Sequence, residues 1–220
     1  RPILFETHQL EHGVHKMLQR CVMLKPWVIT IVISDMLKQC LREHHGLEAS
    51  KYLVLHDAGP SGLEPISLSK RRDSLIHIVP QAKNDWHGVC GYFGHLYSGR
   101  GVETIENMAI ARPRVLFILF GGNESDVRYR RSLNQNSNVI YVGHVPHPIA
   151  QKAMKSVDIL LMPYQKTVSI GLSGHDTAKW MSPMKMFEYM ATGVPIISSD
   201  LPVLREVLKD RKNALLASPE

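Results

Sequence analysis

Long apolar runs, paired cysteines and clustered aromatic residues are scarce in this sequence, and each scarcity removes a class of protein. No run reaches the eighteen or so apolar residues of a membrane span; the longest candidates, Trp27 to Ile33 and Val115 to Phe120, are strand-length with polar flanks. The three cysteines, Cys21, Cys40 and Cys90, stand far apart without a Cys-x-x-Cys spacing. That argues against a disulfide framework and a zinc ribbon, and a reducing, cytoplasmic setting fits best. Aromatic residues make up only 7% and do not interleave with the dense basic spots at Lys70-Arg71-Arg72 and at Arg128, Arg130 and Arg131. A formal net charge of +6 and a pI near 9.3 therefore favour a solvated basic face over a nucleic-acid partner. No charged leader with a cleavage site precedes the apolar Ile3-Leu4-Phe5, and a chain opening on Arg1 instead of Met is expected to be an excised piece.

What is present is a repeated β-α rhythm in 220 residues of 44% hydrophobic content, enough for a sizeable core. Apolar runs at Ile3-Leu4-Phe5, Val28 to Ile33 and Tyr52 to Leu55 read as strands, with helices from Glu11 to Leu24 and from Asp35 to His45, the second stopped by Gly46. From His56 to Gly88 the text turns to Gly, Pro, Ser and charge, which predicts a linker with a short strand near Leu75 to Val79. The rhythm then restarts. Strands are expected at 89–93, 115–120, 139–142, 159–162 and 195–198, and helices at 101–111, after Gly121-Gly122, at 148–157, 183–192 and 203–209, with a polar loop through Lys179. Alternation of this kind implies an α/β fold of two Rossmann-like parallel sheets, the first incomplete, divided as 1–58, a 59–87 linker and 88–220.

Ligands of open parallel sheets bind at the carboxyl ends of the strands, so the loops there are the places to search. One such loop runs Gly94-His95-Leu96-Tyr97-Ser98-Gly99-Arg100-Gly101 into a helix start. Free N–H groups and the helix dipole favour an anion there, and Arg100 can add a bidentate phosphate contact. An ordinary tight turn with a surface arginine explains the loop equally well. The glycines do not make a dinucleotide fingerprint, and Gly121-Gly122 stands where an acidic ribose ligand would end the next strand, which disfavours an NAD-dependent oxidoreductase. A second loop begins Ser182-Pro183-Met184-Lys185-Met186-Phe187-Glu188. Lys185 and Glu188 lie one helical turn apart and could simply pair. The helix is otherwise so apolar that its carboxylate needs a partner such as a sugar hydroxyl.

Gly94-His-Leu-x-x-x-Arg-Gly101, Gly121-Gly122, Tyr141-Val-Gly-His144, Ala153 to Pro163 and the Ser182 to Pro195 block, five pieces in order, resemble the donor domain of the glycogen-synthase-like, family 4 glycosyltransferases. The resemblance implies the GT-B fold: residues 88–220 would bind a nucleotide-sugar donor, UDP- or GDP-linked, and residues 1–58 would belong to the acceptor-side domain. It implies transfer of the sugar to an acceptor hydroxyl with retention of configuration, without a divalent metal or other cofactor. Carried over by position, Arg100 stands for the diphosphate-binding lysine and His95 for a second phosphate-binding arginine. Glu188 stands for the second glutamate of an E-x7-E pattern, which accepts from the ribose hydroxyls. Trp180 stands where the first glutamate would address the transferred sugar, and Gly94 with backbone groups at Met184 and Lys185 would complete the donor site. His8, after the first strand, matches a histidine that reaches the sugar, so that His8, Arg100 and Glu188 form the catalytic set. The implied acceptor is a carbohydrate or a lipid-linked hydroxyl, and positive charge is compatible with peripheral docking at the inner membrane surface.

Two rival classes have features of their own. His8-Gln9-Leu10-Glu11-His12 matches the H-x-x-E-H zinc-protease pattern, which needs both histidines on one helix face, whereas a strand is expected to end at His8. With 12 histidines a chance match is easy, and no metal is expected. The missing glutamate at Trp180 keeps a non-catalytic nucleotide-binding or interaction module of the same fold in play, and the chain stops at Ser218-Pro219-Glu220, before the helices that in such enzymes cross back to the first domain.

Overall fold

Runs of β-branched residues flanked by helices pair side by side in parallel. The computed structural model describes residues 1–47, 52–168 and 176–219; part of the expected polar loop, residues 169–175, lies outside them. Strands β1 (Ile3–Thr7), β2 (Val28–Val32) and β3 (Tyr52–Val54) form a parallel sheet in that order. Helices α1 (Gly13–Met23) and α2 (Asp35–His45) make the crossovers. Local chemistry fixes the ends of α2: Ser34 Oγ accepts from the Leu37 N–H at 3.0 Å, and Gly46 closes the helix at φ 65°. Its inward residues Leu37 and Leu41 meet Met23, Val32 and Ile33 in a small core.

Residues 68–76 form helix α3 (Leu68–Ile76), followed by a 3-10 turn at Pro80–Lys83, and this corrects the strand expected near Leu75 to Val79. Leu75-Ile76-His77-Ile78-Val79 looks extended because two helix residues and the chain leaving the helix all turn apolar groups toward the second core, where Leu75, Val79 and Ala82 are buried.

The second sheet contains β4 (Gly88–Phe93), β5 (Val115–Phe120), β6 (Val139–Gly143), β7 (Ile159–Met162), β8 (Ile196–Ser199) and β9 (Leu215–Ala217), all parallel, in the order β6-β5-β4-β7-β8-β9. Helices α4 (Val102–Ala111), α5 (Glu124–Leu133), α6 (His147–Met154) and α7 (Met184–Thr192) connect them. Both faces are covered: Leu116 and Ile118 of β5 enter one core with Leu160 and Tyr189, while Phe117 and Leu119 enter another with Tyr92 and Ile105. Each such side chain contributes about 1.5–3 kcal/mol by leaving water. Cys90 is sealed in the same layers, and burial pushes its thiol up to about 12, so it is inert. Beyond β8 the expected helix 203–209 is one 3-10 turn, Leu204–Glu206, because Asn213 Oδ1 takes the Lys209 N–H at 2.7 Å and its amide donates to Val207 O at 3.1 Å, diverting the chain into β9.

The two sheets are joined by interpenetrating side chains. Trp180, which follows the second sheet's polar loop, packs against the first core, and Met36 of α2 packs against the second. Ser34 Oγ donates to Trp180 O at 3.0 Å, and the Glu206 carboxylate accepts from the N–H groups of Asp35 and Met36 at 2.7 and 2.8 Å. A carboxylate here satisfies orphan N–H groups and opposes the positive end of the helix. Glu206→Ala is expected to lower stability by about 1–2 kcal/mol, read as a lower urea midpoint; an unchanged midpoint means water serves these donors equally well.

Candidate functional site

Neighbours of β4 emerge in opposite directions, β5 on one side and β7 on the other, and this switch point opens a crevice at the carboxyl ends of the strands. A cleft of about 600 Å³ lies there, floored by Phe93 and Phe120, whose rings stack at 4.6 Å. Gly94, His95, Arg100, Met184, Lys185 and Glu188, drawn from two distant loops, all line it.

Glycine geometry shapes the first loop. Gly94 has φ 151°, and a side chain on Gly121 would strike its carbonyl, so the ends of β4 and β5 close together without side chains between them. The Tyr92 hydroxyl donates to His95 O at 2.6 Å, and the His95 ring stacks on Tyr97 at 4.7 Å with 3° between planes. Burial lowers the His95 pKa, and the cations Arg100 and Lys185 lower it further against the opposing charge of Asp126, which favours the neutral ring. Arg100 lies with its guanidinium 5.5 Å from the Tyr164 ring and Nη1 3.4 Å from the Tyr164 hydroxyl. Tyr164 is buried, which pushes its hydroxyl up to about 12 and keeps it uncharged. The first turn of α4 carries its own acid, Glu103, bound to Arg130 on α5. The positive groups meeting the cleft are therefore side chains as well as backbone.

The second loop enters α7 through Pro183, and the Tyr189 hydroxyl accepts from the Phe93 N–H at 2.9 Å, tying this helix to the end of β4. The simple ion pair between Lys185 and Glu188 does not form. Lys185 Nζ sits 4.1 Å from the Tyr92 ring and 4.7 Å from the Tyr164 ring, while Glu188 Oε1 lies 2.8 Å from His147 Nε2. Burial, followed by the charge of Arg100, holds the Lys185 pKa well below the usual lysine range. Glu188 keeps its second oxygen for another donor.

His8 is elsewhere. It follows β1 in an exposed loop, its Nε2 3.0 Å from Glu6 Oε1, beside a separate hollow lined by Glu11 and His15. The H-x-x-E-H residues face different partners: Glu11 Oε1 accepts from Gln9 at 2.8 Å, and the His12 ring meets His44 at 5.5 Å. His12 is the extended residue before α1, so the two histidines do not share a helix face. Trp180 carries no carboxylate to the cleft and serves the junction between the sheets. Sequence reasoning missed His147, Tyr92 and Tyr164. Only the placement of Tyr92 in an otherwise apolar, glycine-bearing strand could have signalled one of them.

The sequence profile of the family described as Glycosyl transferases group 1 matches residues 88–220. A Bacillus subtilis glycosyltransferase assigned to teichuronic acid biosynthesis is 27% identical over 123 residues, covering 55% of this chain and 29% of that protein. The chitobiosyldiphosphodolichol beta-mannosyltransferase of Candida glabrata is 22% identical over 213 residues, covering 84% of this chain and 44% of that protein. The chain thus spans less than half the length of either relative. Among solved structures, Anabaena HepE in complex with UDP-glucose superposes with a TM-score of 0.70 at 19% identity over 100% of this chain and 59% of its own. Sucrose-phosphate synthase of Thermosynechococcus elongatus does so with 0.71 at 16% identity over 99% and 55%. The fold is the α/β, parallel-sheet arrangement of GT-B glycosyltransferases.

Proposed function

Because the chain belongs to the Glycosyl transferases group 1 family, we propose that it is the donor-binding part, with a portion of the acceptor side, of an enzyme that moves a sugar from UDP or GDP to an acceptor hydroxyl. The observation that carries this is the meeting of Arg100 and Glu188 across one cleft at the switch point. The guanidinium suits a diphosphate and the carboxylate suits a ribose diol, and both line the same cleft. In this reading residues 88–220 hold the donor, residues 59–87 join the units, and residues 1–58 face the acceptor. Gly94 and the backbone at Met184 and Lys185 line the phosphate and ribose path, and His95 and Tyr97 border it.

The reaction places growing negative charge on the leaving diphosphate, and catalysis consists mainly of stabilising that charge. Arg100 does so without a divalent metal. Retention follows if the acceptor attacks on the face of the departing phosphate, which takes its proton. His8 remains the candidate for positioning the sugar from the acceptor side. The acceptor is a carbohydrate or lipid-linked hydroxyl, and the net charge of +6 suits contact with an anionic membrane surface in a cytoplasmic setting. Among the described residues no helix is long and apolar enough to cross a membrane.

Incubation of the whole protein with a panel of UDP- and GDP-sugars and acceptors, with product anomers read by NMR, tests the reading. Tight nucleotide binding without transfer would assign the non-catalytic alternative, and an inverted anomer would remove retention. Glu188→Gln should weaken UDP or GDP binding about tenfold, the worth of a charged hydrogen bond. Equal loss for the ribose-free diphosphate would show that Glu188 does not read ribose.

A further inference from the structure

Among the described residues no carboxylate pairs with Lys185. Its ammonium is wedged between the faces of Tyr92 and Tyr164, and a side-chain carbon on Gly94 would stand 3.2 Å from it. Ring faces recover only part of the hydration an ammonium loses on burial. The groups that face it are Tyr92 on β4, His95 in the Gly94 turn, Arg100 before α4 and Tyr164 after β7, with Asp126 and His144 beyond His95 on the cleft wall. Glu188, on its own helix, is turned to His147. Two cations, Arg100 and Lys185, thus flank the same turn. An ammonium kept out of water without a counter-ion is costly, and groups so perturbed cluster at functional sites.

We infer that the Lys185 ammonium is a second ligand of the donor's diphosphate, reaching it from beneath the Gly94 turn while Arg100 holds it from the other side. The inference rests on the donor reading above and adds to it a role for this side chain and a proton coupled to binding. Burial first, and Arg100 second, make the free protein give up the Lys185 proton at lower pH than an ordinary lysine. An arriving diphosphate favours the charged form, so affinity is greatest at pH below the free protein's pKa and falls as pH rises through it toward the ordinary lysine range. Within that window, binding takes up a proton on Nζ.

Calorimetric titration with UDP and GDP, in buffers of different ionisation enthalpy and at rising pH, tests this with wild type, Lys185→Met and Lys185→Gln. The methionine variant should bind the diphosphates about tenfold to a hundredfold more weakly and lose the buffer-dependent heat, while uridine or guanosine, lacking phosphate, binds as before. Its Tm should rise, because an apolar chain of similar length replaces a desolvated charge. A lysine that merely props two tyrosines apart predicts the reverse: a lower Tm and unchanged diphosphate affinity, which overturns the inference and leaves the donor reading standing. The glutamine variant separates loss of charge from loss of packing, and wild-type affinity in it overturns the inference equally. Failure of the wild-type chain to bind either nucleoside diphosphate overturns the donor reading itself, and this inference with it.

Discussion

Arg100→Ala is expected to weaken UDP or GDP binding about a hundredfold, roughly 3 kcal/mol, because two charge-assisted hydrogen bonds to a phosphate are lost together. Turnover should fall further than affinity, since charge on the leaving diphosphate is greatest in the transition state. The surroundings support a large effect. Tyr164, whose hydroxyl is pushed up to about 12, stays neutral and offers the guanidinium no competing charge, while its ring keeps one side of it dry. Arg100→Lys should recover much of the affinity but not the bidentate geometry. Titration calorimetry of the three proteins decides the matter, and an alanine variant that binds like wild type removes the phosphate assignment.

The second large effect is structural. Gly101 caps α4 at φ 82°, and a side-chain carbon there would run into the Pro163 carbonyl at the end of β7. Gly101→Ala combines a left-handed backbone with a clash against main chain that cannot swing aside, and should cost about 3 kcal/mol or more. For a chain of this size that corresponds to roughly 6–12 °C in Tm. Because Arg100 immediately precedes Gly101, the relaxation that admits the methyl should displace the guanidinium and weaken nucleotide binding as well. A variant with wild-type melting would mean that β7 and the start of α4 are less tightly opposed than the geometry indicates.

The parts legible in the sequence were those governed by local pattern. Val115-Leu-Phe-Ile-Leu-Phe120 can only be buried on both faces, and Gly46 and Gly193, both left-handed, stopped their helices where expected. Residues 75–79 were misread because their apolar groups answer to a distant core instead of to a period of two. Residues 203–209 were misread because a helical start was cut short by Asn213, a side chain no periodicity reports. Gly94, Arg100, Lys185 and Glu188 were legible as members of one candidate site, and the structure brings all four to one cleft. The Lys185 to Glu188 spacing suggested a pair, and each went instead to a partner far away in sequence. Contacts of that kind, such as His147 with Glu188 or Tyr189 with the Phe93 amide, depend on where folding brings two loops, which spacing along one helix does not encode.

One junction bears on how such a protein can be recombined. Trp180 reaches from one sheet's loops into the other's core, Met36 reaches back, and Glu206 closes the first turn of α2. A chimaera that grafts the half built on the second sheet onto a foreign first half would arrive with an indole lacking its socket and a carboxylate lacking its helix. Exchange of halves between proteins of this family should therefore succeed only when the turn at residues 34–36 travels with the loop at 180 and the turn at 204–206, three short pieces that are remote in sequence and inherited as one fitting.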